Sequence, residues 1–284
     1  MSGGHRIELR NVSKRYEMGE DFFEALKEIE LQAEAGEFLG FVGPSGSGKT
    51  TLLNLVGGLD EPSEGEVFVA DRNLGEMNED ELSDFRNETI GFVFQTFNLL
   101  PVYTAFENVE FPLLLQPTFT QAQRKELVEA ILAKVGLADK MYKMPNTLSG
   151  GECQRVAIAR AMVKRPTIVL ADEPTANLDS ENSHEILKIM AQLNEEYGTT
   201  FLFSTHDEKV MRYLRRTIIL TDGRITRDIP HVVGSGTHKD ASAAHIAGAA
   251  LANGAPPAGD APSDSNTSPA GETPPAGDDD KAKE

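Results

Sequence analysis

The chain has 284 residues and is acidic, with 27 Lys+Arg against 45 Asp+Glu and a net charge of −18. The length suits one large domain or two small ones, and the sign argues against a sequence-independent nucleic-acid binder, whose footprint is a basic surface. One cysteine, Cys153, suits a reducing compartment, and no apolar run resembles a signal peptide or approaches the ~20 residues of a membrane helix, so the protein is expected in the cytosol.

Ile7 to Val12 alternates and predicts a strand, and Ser13-Lys-Arg-Tyr16 a polar turn. Phe22 to Leu31 predicts one or two strands, with Gly36 as a turn, so an antiparallel β-subdomain comes first. Glu37-Phe-Leu-Gly-Phe-Val42 is apolar enough for a buried strand. It runs into Gly43-Pro44-Ser45-Gly46-Ser47-Gly48-Lys49-Thr50, and Thr51 to Val56 suits a helix that Gly57-Gly58 can end. Glu61 to Gly65 is a turn, Glu66 to Val69 a short strand, and Asn78 to Asn87 a polar helix. Ile90-Gly-Phe-Val-Phe94 is a buried strand ending at Gln95.

From Thr96 to about Val163 the pattern turns helical. Thr120-Gln-Ala-Gln123 resembles a capping box, and Leu127, Ile131 and Val135 form an apolar stripe ending at Gly136. Leu148-Ser149-Gly150-Gly151-Glu152 opens a helix through Ala161. Thr167-Ile-Val-Leu-Ala171 is a continuous apolar run of parallel-strand type. Ser180 to Tyr197 is a helix with Ile186, Leu187, Met190 and Leu193 on its apolar face. Thr200 to Phe203 is a strand, and Thr217 to Leu220 with Arg224-Ile225 a closing hairpin. Residues 231–284 are rich in Ala, Gly, Pro, Ser and Asp; such a segment cannot bury enough apolar surface to offset its ordering entropy and is expected to be disordered, with a transient helix over Ala241 to Ala252.

The run from Gly43 to Thr50 matches G-x-x-x-x-G-K-[ST] at every fixed position, between a strand and a helix as the motif requires. Its glycines let backbone N–H groups turn inward around an anion, and the helix N-terminus adds its positive end. Lys49 is expected to reach the β- and γ-phosphates of a nucleotide, and Thr50 to ligate Mg²⁺, with Thr51 completing the cradle. Asp172-Glu173 ends the apolar strand at 167–171, where α/β sheets bind ligands. Asp172 is expected to hold Mg²⁺ through water, and Glu173 to orient and deprotonate the attacking water.

With Leu148-Ser149-Gly150-Gly151-Glu152 the chain resembles the nucleotide-binding subunit of an ABC transporter over residues 5 to about 230. The resemblance implies an α/β P-loop NTPase fold with an antiparallel β-subdomain and a helical subdomain near 96–163. It implies that Tyr16 stacks on adenine, that Gln95 senses Mg²⁺ and the γ-phosphate, and that Ser149, Gly150 and Gly151 form the signature. Asp179, in Ala176-Asn-Leu-Asp179, matches the D-loop, and His206 the switch histidine. The signature is expected to close over the phosphate loop of a second copy, so that two ATP molecules lie between two chains. Phe97-Asn-Leu-Leu-Pro101, Thr104 to Val109, Leu55 to Asp60 and Asp172 to Asp179 together resemble the LolD, MacB and FtsE group. That implies an ATPase homodimer that drives a separate membrane permease from the inner face of the membrane. A nucleotide-gated regulator of the FtsE kind, or an ATPase of this fold that acts off the membrane, is the alternative.

Overall fold

The structure, a computed structural model, describes residues 6–19, 21–116 and 118–231. The disordered tail expected over 231–284 lies outside these residues except for His231, whose N–H donates to the Arg215 carbonyl at 2.8 Å and whose Nε2 lies 2.9 Å from Thr217 Oγ1.

Two sheets organise the chain. The first is antiparallel: β1 (Ile7–Met18), β2 (Asp21–Ala33), β4 (Glu64–Val69) and β5 (Arg72–Asn73), in the order β2-β1-β4-β5. The second is largely parallel. It orders β10 (Arg224–Pro230), β9 (Arg216–Thr221), β3 (Phe38–Val42), β8 (Thr200–Thr205), β7 (Ile168–Asp172) and β6 (Ile90–Val93), with only β10 running against its neighbour. Every residue of β3 and β8 is buried. This explains why neither alternates apolar with polar residues at Phe38–Val42 and Phe201–Phe203: a strand covered on both faces has no solvent side to alternate with.

A core lies on each face of this parallel sheet. On one, Leu39, Phe41, Leu202 and Ile218 pack with Ile7, Leu9 and Ile29 of the antiparallel sheet and with Leu52 and Val56 of α1 (Lys49–Val56). On the other, Phe38, Phe201 and Phe203 meet α3 (Ala105–Leu114), α4 (Gln121–Lys134), α5 (Gly150–Met162) and α6 (Ser180–Tyr197). Each fully buried Phe contributes roughly 1.5–3 kcal/mol over its exposed state. α2 (Glu79–Thr89) runs into β6, and a short α7 (Glu208–Met211) follows β8. Capping boxes open α2, α3, α4 and α5, the third of them at Thr120 and Gln123 as its sequence predicts. Among the described residues, no helix is long and apolar enough to cross a membrane.

The parallel register positions the chemistry. Val42 pairs with Thr205, and Asp172 with Ser204. Gly43, Glu173 and His206 therefore leave three adjacent strands at one carboxyl edge, where ligands of such sheets sit.

Several local expectations are corrected. Tyr16 lies within β1 and not in a turn, because pairing with β2 continues to Met18 opposite Asp21. Phe22 to Leu31, expected as one or two strands, is one, with irregular register where Asn11 and Glu28 both take φ near +50°. Glu64 and Gly65 already belong to β4, since Ser13 of β1 pairs with Glu64. Lys49 and Thr50 belong to the helix that follows the loop. Thr96 to Tyr103 is not helical, and α3 starts behind the Thr104 cap.

Candidate active site

The loop from Gly43 to Thr50 curls over its own lysine. Lys49 Nζ donates to the carbonyls of Gly43 and Pro44, each at 2.9 Å, and only 7% of the residue is exposed. Burial pushes its ammonium below the ordinary lysine value, opposed in part by Glu173 and Asp172. An anion placed here would replace carbonyl partners with full negative charge. Gly48 caps α1 with φ +100°, and a Cβ there would lie 2.6 Å from the Ala25 carbonyl oxygen. Gly48→Ala is expected to cost on the order of 1–3 kcal/mol of stability and to displace the phosphate cradle; a thermal melt and a nucleotide titration check both.

Thr50 Oγ1 lies 3.2 and 3.3 Å from the two carboxylate oxygens of Asp172. Glu173, the next residue, is held at φ +45°, a region that costs a non-glycine residue of order 1 kcal/mol or more. Its N–H donates to the Ser204 carbonyl at 2.9 Å, which fixes that turn. The turn aims the side chain at His206, whose Nδ1 lies 2.6 Å from Glu173 Oε1. Thr205 Oγ1 reaches Glu173 Oε2 at 3.4 Å. A cavity of about 490 Å³ is lined by the phosphate loop with Lys49, Thr50 and Thr51, and by Gln95, Glu173, Ser204 and His206. Gln95 is anchored through its carbonyl, which accepts from Asn177 Nδ2 at 2.9 Å.

The chemistry of this cavity suits a magnesium nucleotide. Ser47 Oγ and Ser204 Oγ are buried without a hydrogen-bond partner, and an unmet polar group of this kind calls for a ligand or water. Among the described residues, no group of three or more His, Cys, Asp or Glu is placed to hold a metal. A cation beside Thr50 and Asp172 therefore needs phosphate oxygens to fill its shell, which is how Mg²⁺ is commonly held.

Tyr16 borders this site without lining the cavity. Its hydroxyl donates to Asp60 Oδ2 at 2.8 Å, and Lys14 Nζ lies 4.9 Å from the ring centre. Burial and the Asp60 contact raise the phenol above its usual value, while a bond to Thr51 pulls it down. That bond places Tyr16 against the first turn of α1.

Ser149, Gly150, Gly151 and Asp179 are not brought to the cavity. Ser149 caps α5: its Oγ accepts from Glu152 N–H at 3.3 Å, and Glu152 Oε2 accepts from Ser149 N–H at 2.8 Å. The Ser149 hydroxyl also bonds the Glu152 carboxylate, at an exposed helix N-terminus. Gly151 packs on α6, and a Cβ would fall 2.4 Å from Asn182 Oδ1. Asp179 caps α6, accepting from Asn182 N–H at 2.9 Å and from Asn182 Nδ2 at 2.7 Å. Buried Cys153 points its thiol at the Pro145 carbonyl, 3.5 Å away.

The sequence reading missed Phe23, Ala25 and Ser204 as cavity residues and Lys14 and Asp60 as partners of Tyr16. Only strand pairing reveals the first two. Ser204, two residues before His206, was legible from the motif.

Comparison with known proteins agrees with this geometry. Residues 26–176 match the ABC transporter family. The ABC transporter ATP-binding protein MJ0796 of Methanocaldococcus jannaschii is 46% identical over 226 residues, which are 78% of this chain and 96% of that protein. Its solved dimer, a post-hydrolysis state bound to ADP and Pi, superposes with a TM-score of 0.73 at 44% identity, over 79% of this chain and 98% of that one. The lipoprotein-releasing system ATP-binding protein LolD of Idiomarina loihiensis is 43% identical over 222 residues, covering 78% of this chain and 97% of LolD. The macrolide export ATP-binding/permease protein MacB of Bdellovibrio bacteriovorus is 44% identical over 225 residues, which are 78% of this chain but only 34% of MacB. The resemblance to the LolD and MacB group thus holds, and the chain belongs to the ABC transporter family as one of its ATP-binding cassettes.

Proposed function

We propose that two copies of this chain close head to tail on two molecules of ATP and that their opening and closing drives a separate membrane permease. The observation that carries this reading is the split site. One set of groups surrounds the cavity, while Ser149 and Gly150 present a capped, exposed helix N-terminus that faces no ligand in their own chain. A helix N-terminus favours negative charge, and a γ-phosphate bound to a second copy supplies it. The solved MJ0796 cassette is dimeric, which supports the arrangement.

In this reading Lys49 and the loop N–H groups hold the β- and γ-phosphates. Thr50, Asp172 and Gln95 would hold Mg²⁺, which neutralises charge on the phosphate oxygens. Glu173 accepts a proton from the attacking water, and His206 keeps the Glu173 carboxylate in place and reaches the γ-phosphate from the same edge. Asp179 and Tyr16 act at the partner contact and the base. Most of the work is positioning and electrostatic stabilisation.

The permease surface follows from exposed apolar side chains. Among the described residues, half of the large apolar side chains left exposed lie between Leu100 and Leu115. Phe111 of α3 and Leu115, just past its end, join Phe92, Phe94 and Pro112 around a groove of about 370 Å³. Its cations, Arg86, Arg160 and Lys164, all donate to backbone carbonyls, and no acidic residue lines it in a chain of net −18. Burial pushes Lys164 down to about 8, so a carboxylate arriving there would find an unmet charge. A short amphipathic segment with an acidic residue fits. Of the apolar residues that follow Gln95, Leu99 packs against the core that holds α3, whereas Leu100 and Val102 stay exposed. In MacB the matched region is about a third of a chain whose name includes a permease, which supports a permease partner here.

Phe111→Glu with Leu115→Glu is expected to leave ATP binding by the purified chain unchanged. Co-expressed with its permease, the variant should stay in the soluble fraction while the parent sediments with membranes. Co-sedimentation of the variant would move the docking surface elsewhere.

A further inference from the structure

Helix α5 reaches the carboxyl edge of its own chain through a buried amide. Gln154 is fully buried, and its Nε2 donates to the Pro174 carbonyl at 2.7 Å. Pro174 directly follows Glu173. Proline has no N–H, so its carbonyl is the only hydrogen-bonding group its backbone offers. On the other side the Glu173 N–H reaches the Ser204 carbonyl at 2.9 Å. The left-handed turn that aims Glu173 at His206 is therefore pinned by β8 before it and by α5 after it. The same face of α5 accompanies the chain further. Gly150 lies four residues before Gln154 and so on one face of the helix with it. A Cβ at Gly150 would lie 3.6 Å from Leu178 Cδ2 and 3.9 Å from the Asn177 carbonyl oxygen. Residues 174–178 thus run along α5 from Gln154 to the helix N-terminus.

Stability does not account for an amide at this position. Gln154 Oε1 is buried without a hydrogen-bond partner among the described residues. An unmet buried acceptor costs free energy that an apolar side chain of similar length would not. The donor half of the amide is what the position uses. We propose that Gln154 is a positioning residue for Glu173, and that it ties the aim of this base to the seating of α5. The N-terminus of α5 takes the γ-phosphate bound to the second copy, so engagement of one nucleotide sets the base that acts on the other. The inference rests on reading Glu173 as the base and Ser149 and Gly150 as contacts to the second copy's nucleotide.

The test is Gln154→Met in the full chain, which keeps the length of the side chain and removes both the donor and the unmet acceptor. Turnover of saturating Mg²⁺-ATP is expected to fall by about tenfold or more, part of the roughly 10²–10⁴-fold that a positioned base supplies. Mg²⁺-ATP affinity by calorimetry, KM and the melting point should stay near those of the parent. In the Glu173→Gln background the ATP-dependent dimer should form as it does with Gln154, because the Ser149 cap is untouched. The variant would then close on ATP and hydrolyse it slowly. Gln154→Leu, which removes the donor with a different shape, should lower turnover to the same extent. Unchanged turnover in Gln154→Met would overturn the inference. So would a loss of affinity or of the dimer together with turnover, or a failure of both variants to fold, since the amide would then only support α5. A fall confined to one variant would trace it to packing and overturn the inference as well. A parent chain that does not bind ATP would instead refute the nucleotide site itself, and turnover by Glu173→Gln near the parent rate would refute Glu173 as the base.

Discussion

Lys49→Ala should lose tight ATP binding while the fold survives. The ammonium is the strongest cation aimed into the cavity, and it already sits between two loop carbonyls at 2.9 Å. Net contributions of hydrogen bonds to charged groups are roughly 1.5–3 kcal/mol each. Losing the two phosphate contacts therefore costs on the order of a hundredfold or more in affinity. Stability should change little, for a physical reason. Burial works against the charged form of Lys49, so its removal relieves a desolvation cost as it deletes two hydrogen bonds. The expected pair of results is an unchanged circular dichroism spectrum with a melting point within a few degrees, and nucleotide affinity near the limit of detection. Retained affinity would contradict the assignment of the loop.

The residues of that loop were legible because their spacing is local: a strand, eight residues and a helix carry the whole constraint. The Asp172-Glu173 pair was legible for a related reason: a short apolar run in a chain that already carries a phosphate loop reads as a buried parallel strand, whose last residues reach the carboxyl edge. What the sequence left out depends on distant pairing. Tyr16 looks like part of a turn because Ser13-Lys-Arg-Tyr16 is polar. It becomes a strand residue only because β2 continues to pair with it across the hairpin. The same pairing brings Phe23 beside Tyr16, and no periodicity along one strand announces a partner on another. Glu173 is the third case. Its role could be expected from its position, but its left-handed backbone and its 2.6 Å contact with His206 arise only when β7 and β8 align. Such strain in a packed element is tolerated where a side chain must be aimed.

In the proposed reading, Ser149 serves both fold and site. The hydroxyl of Ser149 accepts the Glu152 N–H and so caps α5, and it also bonds the Glu152 carboxylate. Glu152 in turn is paired with Lys140 and holds the Ser149 N–H, and these contacts keep its carboxyl below the usual range. The helix end is thus rigid before any nucleotide arrives, which lowers the ordering cost of closing on one.

Glu173→Gln should keep ATP binding, stop turnover and trap a dimer. The amide has the size and reach of the carboxylate, and its oxygen can still accept from His206 Nδ1, so the aim of the side chain persists. What is lost is the base. A positioned general base contributes roughly 10²–10⁴-fold, and turnover should fall by at least the lower figure. A negative charge near the γ-phosphate is removed as well, which favours the closed pair. Size-exclusion chromatography with light scattering should show monomer without nucleotide and dimer after ATP is added, with no return to monomer. Ser149→Arg in the same background should abolish that dimer, because its side chain fills the space where the partner's γ-phosphate must lie. Ser149 is also a helix cap, so Ser149→Ala is the necessary control. Both substitutions lose the cap, at about 1 kcal/mol, but only arginine fills the space. A dimer weakened with alanine and absent with arginine locates the block at the ligand. Equal loss in both would trace it to fraying of α5. If Glu173→Gln hydrolyses ATP near the parent rate, another group is the base. If it binds ATP and remains monomeric at micromolar concentration, the two-site sandwich does not form without the permease.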